Sequence, residues 1–178
     1  MFSERQLFGG AITCDIPSDW RDVSDIRQVP DHQECFQDFQ KSQSVYVLEI
    51  LERQSVSNEE AASFFFQDLA ESNGSTENRF QKQGMTVPVA NEFTLSAGIG
   101  VQKVAVGKDH DFAGNRRQQE IHYVQVELCV FRLPNLSTDI LLTISNPNPN
   151  PQDESFSFSA IFERAASTLK VRDWSLFG

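Results

Sequence analysis

Long apolar runs are missing from this sequence. No segment approaches the roughly 18 consecutive apolar residues that a membrane-spanning helix requires. Residues 1–10 contain Glu4 and Arg5 and lack the apolar core of a secretory signal. They also lack the arginine- and serine-rich, acid-poor composition of an organelle transit peptide. We therefore expect a protein of the nucleus and cytoplasm that does not associate with membranes.

Cysteine and histidine are scarce, with three residues of each type. An odd number of widely spaced cysteines favours reduced thiols that pack as small core residues over disulfide bonds. The histidines have no metal-ligand spacing with one another or with the cysteines, so we expect no metal site. The residues concerned are Cys14, Cys35, Cys129, His32, His110 and His122.

The common signatures of nucleotide-binding and hydrolytic enzymes are also absent. Gly98-Ile99-Gly100 lacks the third glycine of a dinucleotide-binding loop, and neither a P-loop nor a nucleophile elbow occurs. We therefore expect neither catalysis nor a cofactor. A cysteine–histidine or carboxylate pair that meets only in the folded chain leaves a small hydrolase open as an alternative.

The chain does contain enough apolar material for a substantial core. Its 178 residues include 15 phenylalanines, and 39% of the residues are apolar. A chain of this length buries enough surface to fold without disulfides or metal. We expect a single domain over residues 1–178.

Acidic residues are concentrated in the first part of the chain. Residues 1–75 hold 14 acids and 5 bases, a net charge of −9, whereas residues 76–178 hold 11 acids and 10 bases, a net charge of −1. Such a surface repels nucleic acid and anionic membranes and attracts basic protein surfaces. The alternative interpretation is that the acids only keep the protein soluble.

Residues 44–52 form the clearest predicted strand. Val45, Val47 and Leu51 share one face with Glu49, and the other face carries Tyr46, Leu48, Ile50 and Glu52. Both faces are largely apolar, which predicts a central strand covered on both sides. Further strands are predicted over 11–16, 33–39, 98–106, 120–133 and 139–145, the last two antiparallel because Leu133-Pro134-Asn135-Leu136 suits a tight connection. A charged loop is predicted over 107–117 and a stiff loop over 146–151.

Two substantial helices are predicted far apart in the sequence. The first covers 57–73, with a capping box of Ser57 and Glu60 at its start and a stop at Asn73-Gly74. The second is marked by Phe158, Ile161, Phe162, Ala165 and Leu169. Alternation over 155–160 also permits a strand, but the pattern length and the acids Asp153-Glu154 favour the helix. One or two further helical turns are predicted over 22–28, capped by Asp22. This mixture of antiparallel strands and separated helices predicts an α+β sandwich.

Several sequence blocks resemble one protein family, in the family's order along the chain. The first runs from Leu7-Phe8-Gly9-Gly10-Ala11-Ile12 through Ile16-Pro17 to the stretch DVSDIRQVPDHQE over 22–34. Later blocks are VLEILE over 47–52, Arg132-Leu133-Pro134, TDILL over 138–142, Asn146-x-Pro, and residues 173–177. These blocks resemble the Ran guanine nucleotide release factors of the Mog type.

The resemblance implies both a fold and a partner. The fold is a mostly antiparallel sheet flanked by helices on both faces, as in the photosystem subunit PsbP. The partner is the small GTPase Ran, from which the family releases guanine nucleotide in support of nuclear protein import. We expect a monomer. A PsbP-like structural subunit without Ran binding is the alternative, although it requires a transit peptide.

The acidic blocks supply the candidate Ran-binding residues. A GTPase holds its nucleotide with a lysine, backbone N–H groups and Mg²⁺, all of which attract carboxylates. The candidates are Asp22, Asp25, Arg27, Asp31, Gln33, Glu34, Glu49 and Glu52. Asp22 and Asp25 equally suit helix capping, and Asp31 equally suits turn formation. Glu49 and Glu52 point to opposite faces of a regular strand, so both contact Ran only if the strand bulges or ends between them. Glu49 lies among apolar residues, as a semi-buried carboxylate with a structural partner would, so we rank Asp31 and Glu34 above it.

Overall fold

Antiparallel strands make up most of the fold. The computed structural model describes residues 1–85, 93–106, 120–133, 135–149 and 157–178. Within them the strands are β1 (Phe2–Leu7), β2 (Ile12–Pro17), β3 (Arg21–Asp22), β4 (Gln33–Gln37), β5 (Val45–Glu52), β6 (Glu77–Lys82), β7 (Thr94–Val106), β8 (Glu120–Arg132), β9 (Thr138–Asn146) and β10 (Lys170–Val171). The helices are α1 (Ala61–Ser72) and α2 (Ala160–Thr168). Short 3₁₀ turns cover Phe8–Gly10, Val23–Asp25 and Trp174–Phe177.

The strands form two sheets. One has seven strands in the order β3-β4-β5-β9-β8-β7-β6, and the other has three in the order β1-β2-β10. Every pairing between described strands is antiparallel. The predicted α+β class and the antiparallel β8–β9 pair are therefore confirmed.

Two apolar clusters hold the helices. On β8, Leu128 and Val130 belong to a cluster that includes Phe65 and Phe66 of α1. Their neighbours along the strand, Cys129 and Phe131, belong to a larger cluster that includes residues of α2 and β2. Helix α1 packs on β6, β7 and β8, and α2 packs on β2. The predicted apolar stripe of the second helix is confirmed, because Phe162, Ala165 and Leu169 are all buried in the larger cluster.

Strand β5 differs in part from its prediction. It is an interior strand between β4 and β9, as expected. Tyr46 and Leu48 on one face are fully buried, whereas Val47 and Glu49 on the other face are only half-buried. The prediction of full cover on both faces was wrong, because α1 packs on the other half of the sheet.

Two strands were missed by the sequence prediction. Residues 2–7 were not predicted as a strand, yet β1 pairs with β2 along its whole length. Residues 77–82 were not predicted as a strand either, yet β6 pairs with β7. Each strand lies at a sheet edge and buries little, with Leu7 the buried residue of β1 and Phe80 the half-buried residue of β6. The periodic apolar signal of an interior strand is therefore absent from both.

The helices begin later and are shorter than predicted. The turn after β3 covers only Val23–Asp25, instead of helical turns over 22–28. The capping box forms, with Glu60 N–H donating to Ser57 Oγ at 3.2 Å and Ser57 Oγ donating to Glu60 at 2.8 Å, but α1 starts after it at Ala61. Helix α2 starts at Ala160 with Ser159 as its N-cap. Three other predictions fall at least partly outside the described residues. They are the charged loop over 107–117, the stiff loop over 146–151 at Asn150-Pro151, and the acids Asp153-Glu154 before the second helix.

Candidate functional site

The acidic residues after β3 are presented by a short turn. The Asp22 carboxylate accepts hydrogen bonds from Ser24 N–H at 2.8 Å and Ser24 Oγ at 2.6 Å, so it caps the 3₁₀ turn as expected. Asp25 lies within the turn and is exposed. Arg27 N–H donates to Val23 O at 3.0 Å, and its side chain is exposed. The turn therefore fixes Asp22 and leaves Asp25 and Arg27 at the surface.

A second turn presents Asp31. Gln33 N–H donates to Pro30 O at 2.9 Å, which closes the turn through the backbone. Asp31 is exposed, and its carboxylate has no hydrogen-bond or ion-pair partner among the described residues. The turn does not require the Asp31 side chain, so the carboxylate is available to a partner.

Gln33 and Glu49 form a cross-strand pair. They are opposite each other on β4 and β5, and Gln33 Nε2 donates to Glu49 Oε1 at 2.6 Å. Both side chains are half-buried. This hydrogen bond holds the Glu49 carboxylate against β4, the strand that follows the Asp31 turn.

Glu34 is held differently from its neighbour Gln33. Its carboxylate accepts a hydrogen bond from the N–H of Phe8, a residue with a positive φ of 50°. Burial raises the pKa of Glu34, the Phe8 N–H opposes that rise, and Asp22 adds to it. Because β4 side chains alternate, Glu34 points away from Gln33. Glu34 therefore stabilises the turn after β1, from the face of β4 opposite to Gln33.

Glu52 lies apart from the other candidates. The β5–β9 pairing is continuous from Val45 to Glu52, so no bulge brings Glu49 and Glu52 to the same face. The predicted opposite orientation is confirmed by this register. Asp25, Arg27 and Asp31 are thus exposed along one segment, Gln33 and Glu49 form an adjacent pair, and Glu52 is separate.

A protein-family model matches most of the chain, including this whole segment. The model describes the Ran-interacting Mog1 protein and matches residues 5–147. The chain belongs to the Ran-interacting Mog1 protein family. The resemblance identified from the sequence blocks is therefore confirmed.

Relatives of the Mog1 family cover nearly the full chain. The Ran guanine nucleotide release factor of Danio rerio is 34% identical over 178 residues, which cover 97% of this chain and 88% of that protein. The Homo sapiens protein of the same name is 33% identical over 142 residues, covering 79% of this chain and 74% of its own. The crystal structure of the Saccharomyces cerevisiae Ran-binding protein Mog1p has a TM-score of 0.74 and 23% identity, covering 100% of this chain and 99% of that one. The fold is Mog1-like.

The cysteines of this Mog1-family chain are core residues. All three are buried and free. Burial raises the pKa of Cys14 to about 11, and burial raises the pKa of Cys129 further. These thiols stay protonated near neutral pH, which suits packing and not nucleophilic attack.

Neither a cluster of metal ligands nor a membrane-spanning helix is present among the described residues. Within those residues, no three His, Cys, Asp or Glu side chains group as metal ligands. No helix in that part of the chain is both long and apolar enough to cross a bilayer.

Gly98 and Gly100 have a packing role, because a Cβ there would collide with the rings of Phe80 and Phe66, which pack together at 4.8 Å between centroids.

The sequence analysis did not identify one exposed apolar residue in the stretch over 22–34. Ile26 is 53% exposed and lies between Asp25 and Arg27. A single exposed apolar residue is ordinary on a protein surface, so Ile26 is a candidate contact only through its position beside Asp25 and Arg27. The available signal was an isolated apolar residue in an otherwise polar stretch.

A groove lies on the open face of β5, next to the Gln33–Glu49 pair. It has a volume of about 330 Å³ and is bordered by β4, β5, β9 and α1. Glu49 on β5 and Asp68 on α1 both line it. The other lining residues comprise five apolar ones, namely Val47, Leu51, Phe65, Leu69 and Leu141, and four neutral polar ones, namely Gln33, Ser72, Thr143 and Ser145. Sequence reasoning also missed Asp68, whose signal was its position beside the apolar stripe of α1.

Proposed function

We propose that the protein binds the GTPase Ran and promotes guanine nucleotide release from it, in support of nuclear protein import. The observation that carries this proposal is the family match over residues 5–147, which includes the exposed acidic segment after β3. Relatives named nuclear import proteins in Schizosaccharomyces pombe and Saccharomyces cerevisiae support the link to import. We place the protein in the nucleus and cytoplasm, as a monomer that works without catalysis or a cofactor.

The proposed Ran-binding surface centres on Asp31. Support comes from its exposed carboxylate, which has no partner among the described residues. Asp25, Ile26 and Arg27 extend this surface along the chain, and the Gln33–Glu49 pair extends it across β4 and β5. Glu34 contributes by holding the turn at Phe8, and Asp22 by capping the turn that carries Asp25.

Carboxylates can loosen a bound nucleotide by competition. A GTPase holds phosphate and Mg²⁺ with positive and N–H groups, to which a carboxylate also binds. If the protein weakens nucleotide binding about tenfold, nucleotide weakens protein binding by the same factor, about 1.4 kcal/mol. Release in this scheme requires no covalent step.

We also propose that residues 1–178 are a single Ran-binding domain with helices on both faces of the large sheet. Adjacent residues on a strand point to opposite faces. On β8, Leu128 and Val130 pack with α1 residues, and Cys129 and Phe131 pack in the cluster that contains α2 residues. This alternation supports an α/β/α sandwich.

Direct binding to Ran tests the proposal. The affinity is measured by calorimetry with Ran loaded with GTP, with GDP, and free of nucleotide. We expect binding in low salt that weakens as salt rises, because the acidic segment interacts partly through charge. Undetectable binding at about tens of micromolar protein in all three states, far weaker than a specific interface gives, would contradict the proposal.

A further inference from the structure

The groove between β5 and α1 carries two carboxylates and no basic residue. Among the described residues that line it, none is lysine, arginine or histidine. Glu49 accepts a hydrogen bond from a neutral partner, Gln33. Asp68 is exposed and has no hydrogen-bond or ion-pair partner within the described parts of the chain. The groove therefore holds two negative charges without a cation.

The walls of the groove limit which ligand fits this charge. Val47, Leu51 and Leu69 are half-buried and form apolar walls beside the carboxylates. Lysine and arginine side chains combine an apolar stem with a cationic end, so they match apolar walls and a carboxylate together. An anionic ligand would be repelled. A hydrated metal ion would gain little from the apolar walls.

The groove lies beside the turn that presents Asp31. Gln33 lines the groove and also closes the Asp31 turn through its backbone N–H. A partner that covers Asp31 is therefore placed beside the groove. The two carboxylates of the groove favour a partner with basic side chains.

We infer that this groove receives one lysine or arginine side chain of Ran, whose cationic end lies between Glu49 and Asp68. Val47, Leu51 and Leu69 then cover the apolar stem. This inference rests on the proposed function, and it adds Asp68 of α1 as a partner-binding residue.

Matched charge-removing variants test the inference. Asp68→Asn and Glu49→Gln remove one charge each, and the amide oxygen that the second variant introduces still accepts a hydrogen bond from Gln33. Glu71→Gln is the control, because Glu71 lies on the same helix and, unlike Asp68, does not line the groove between β5 and α1. Calorimetry with Ran is expected to show a loss of about tenfold in affinity for each groove variant and less than about twofold for the control.

The outcomes distinguish failure of the groove assignment from failure of the proposed function. If the parent protein binds Ran and both groove variants bind it with parental affinity, the groove assignment is overturned and the proposed function stands. If the control loses as much as Asp68→Asn, a diffuse acidic helix face replaces the groove. If the parent itself does not bind Ran, both proposals fail. Melting curves check the fold, and Asp68→Asn changes an exposed side chain, so its result does not depend on a folding effect.

Discussion

At the residue scale, a buried ion pair anchors the β8–β9 hairpin. Arg132 is 1% exposed and Asp139 is fully buried, and Arg132 Nε donates to Asp139 Oδ1 at 2.8 Å. Arg132 also donates to the carbonyl oxygens of Val56 and Gln54, each at 2.7 Å. Gln54 N–H returns a bond to Asp139 at 3.1 Å. The pair therefore ties the segment before α1 to the sheet, which gives the Arg132-Leu133-Pro134 and Thr138-Asp139 blocks a structural role.

Removing one member of this pair is expected to be strongly destabilising. Asp139→Ala leaves a buried guanidinium uncompensated, so we expect a loss of about 3–5 kcal/mol in the free energy of unfolding. Urea denaturation measures this loss. The control is Asp19→Ala at the surface pair with Lys41, where the side chains are 44% and 74% exposed and the loss should stay within about 0.5 kcal/mol. Equal losses in the two variants would contradict this account.

Asp31 and Glu34 are expected to respond differently to alanine. Asp31→Ala should leave stability within about 0.5 kcal/mol of the parent and should weaken Ran binding, since the exposed carboxylate has no partner in the described chain. Glu34→Ala leaves the Phe8 N–H without its acceptor and should cost about 1–3 kcal/mol of stability.

Denaturation and Ran-binding measurements on both variants test this separation. Glu34→Gln is the control for Glu34→Ala, because it keeps an acceptor oxygen for Phe8. A stability loss for Asp31→Ala as large as that for Glu34→Ala would show that the Asp31 turn depends on the side chain.

Local residue roles were easier to predict than those set by distant contacts. The Asp22 cap and the Ser57–Glu60 capping box join residues two or three positions apart, so the sequence pattern predicted them. Glu34 was ranked with Asp31 as a surface acid. Its partner, Phe8, is 26 residues away, and no local pattern reports that contact.

At the scale of elements, a buried carboxylate holds the start of α2. Glu127 on β8 is 4% exposed and accepts hydrogen bonds from Ser159, one of them from Ser159 Oγ at 2.7 Å. Ser159 in turn caps α2 by accepting from Phe162 N–H at 3.2 Å. Burial raises the pKa of Glu127, the bonds from Ser159 oppose that rise, and Glu163 adds to it.

The raised pKa of Glu127 predicts the sign of a pH effect. Its folded-state pKa exceeds the unfolded value of about 4.3, so the folded protein binds the proton more tightly. The penalty for the charged buried form is complete above the folded pKa and fades as pH falls through it. The melting temperature of Glu127→Gln relative to the parent should therefore be most favourable at neutral pH and should decline toward pH about 4.

Paired thermal melts across this pH range measure the difference. Glu59→Gln is the control, since Glu59 is 88% exposed and should give a nearly flat difference. A Glu127→Gln difference that is also flat, or that grows as pH falls, would show that Glu127 does not carry a raised pKa.

The C-terminal turn is expected to contribute to stability. Leu176 and Phe177 are half-buried against the larger apolar cluster. Trp174 is 44% exposed and contacts the rings of Phe93 and Phe177. Deleting residues 173–178 should lower the melting temperature by roughly several degrees. Trp174→Ala should produce a smaller shift, and an unchanged melting temperature after the deletion would contradict the packing.

Interior elements were predictable and edge elements were not. Strands β5, β8 and β9 bury many apolar side chains, which produces a clear apolar signal in the sequence. The edge strands β1 and β6 are held mainly by backbone pairing, which leaves no such apolar signal in the sequence. The groove on β5 was not predictable, because it depends on where α1 packs across the sheet.

At the scale of the whole molecule, the asymmetry of charge matches the position of the proposed site. Residues 1–75 contain 14 acids and 5 bases, and they include the Asp31 turn, Glu49 and Asp68. A field of this kind raises the rate at which a basic partner surface is encountered, and salt weakens it. The charge distribution suited either a basic protein partner or solubility alone, whereas the identity of Ran came from the family resemblance.

Nucleotide release from Ran is the most direct test of the central claim. Ran loaded with a fluorescent guanine nucleotide is mixed with the protein at increasing concentration, with Asp31→Ala as the variant and Asp19→Ala as the surface control. The account predicts that the parent and Asp19→Ala accelerate release in a saturable manner, that Asp31→Ala requires a higher concentration for the same rate, and that excess free nucleotide reverses binding. Release at the intrinsic rate of Ran at every concentration of the parent protein would contradict it.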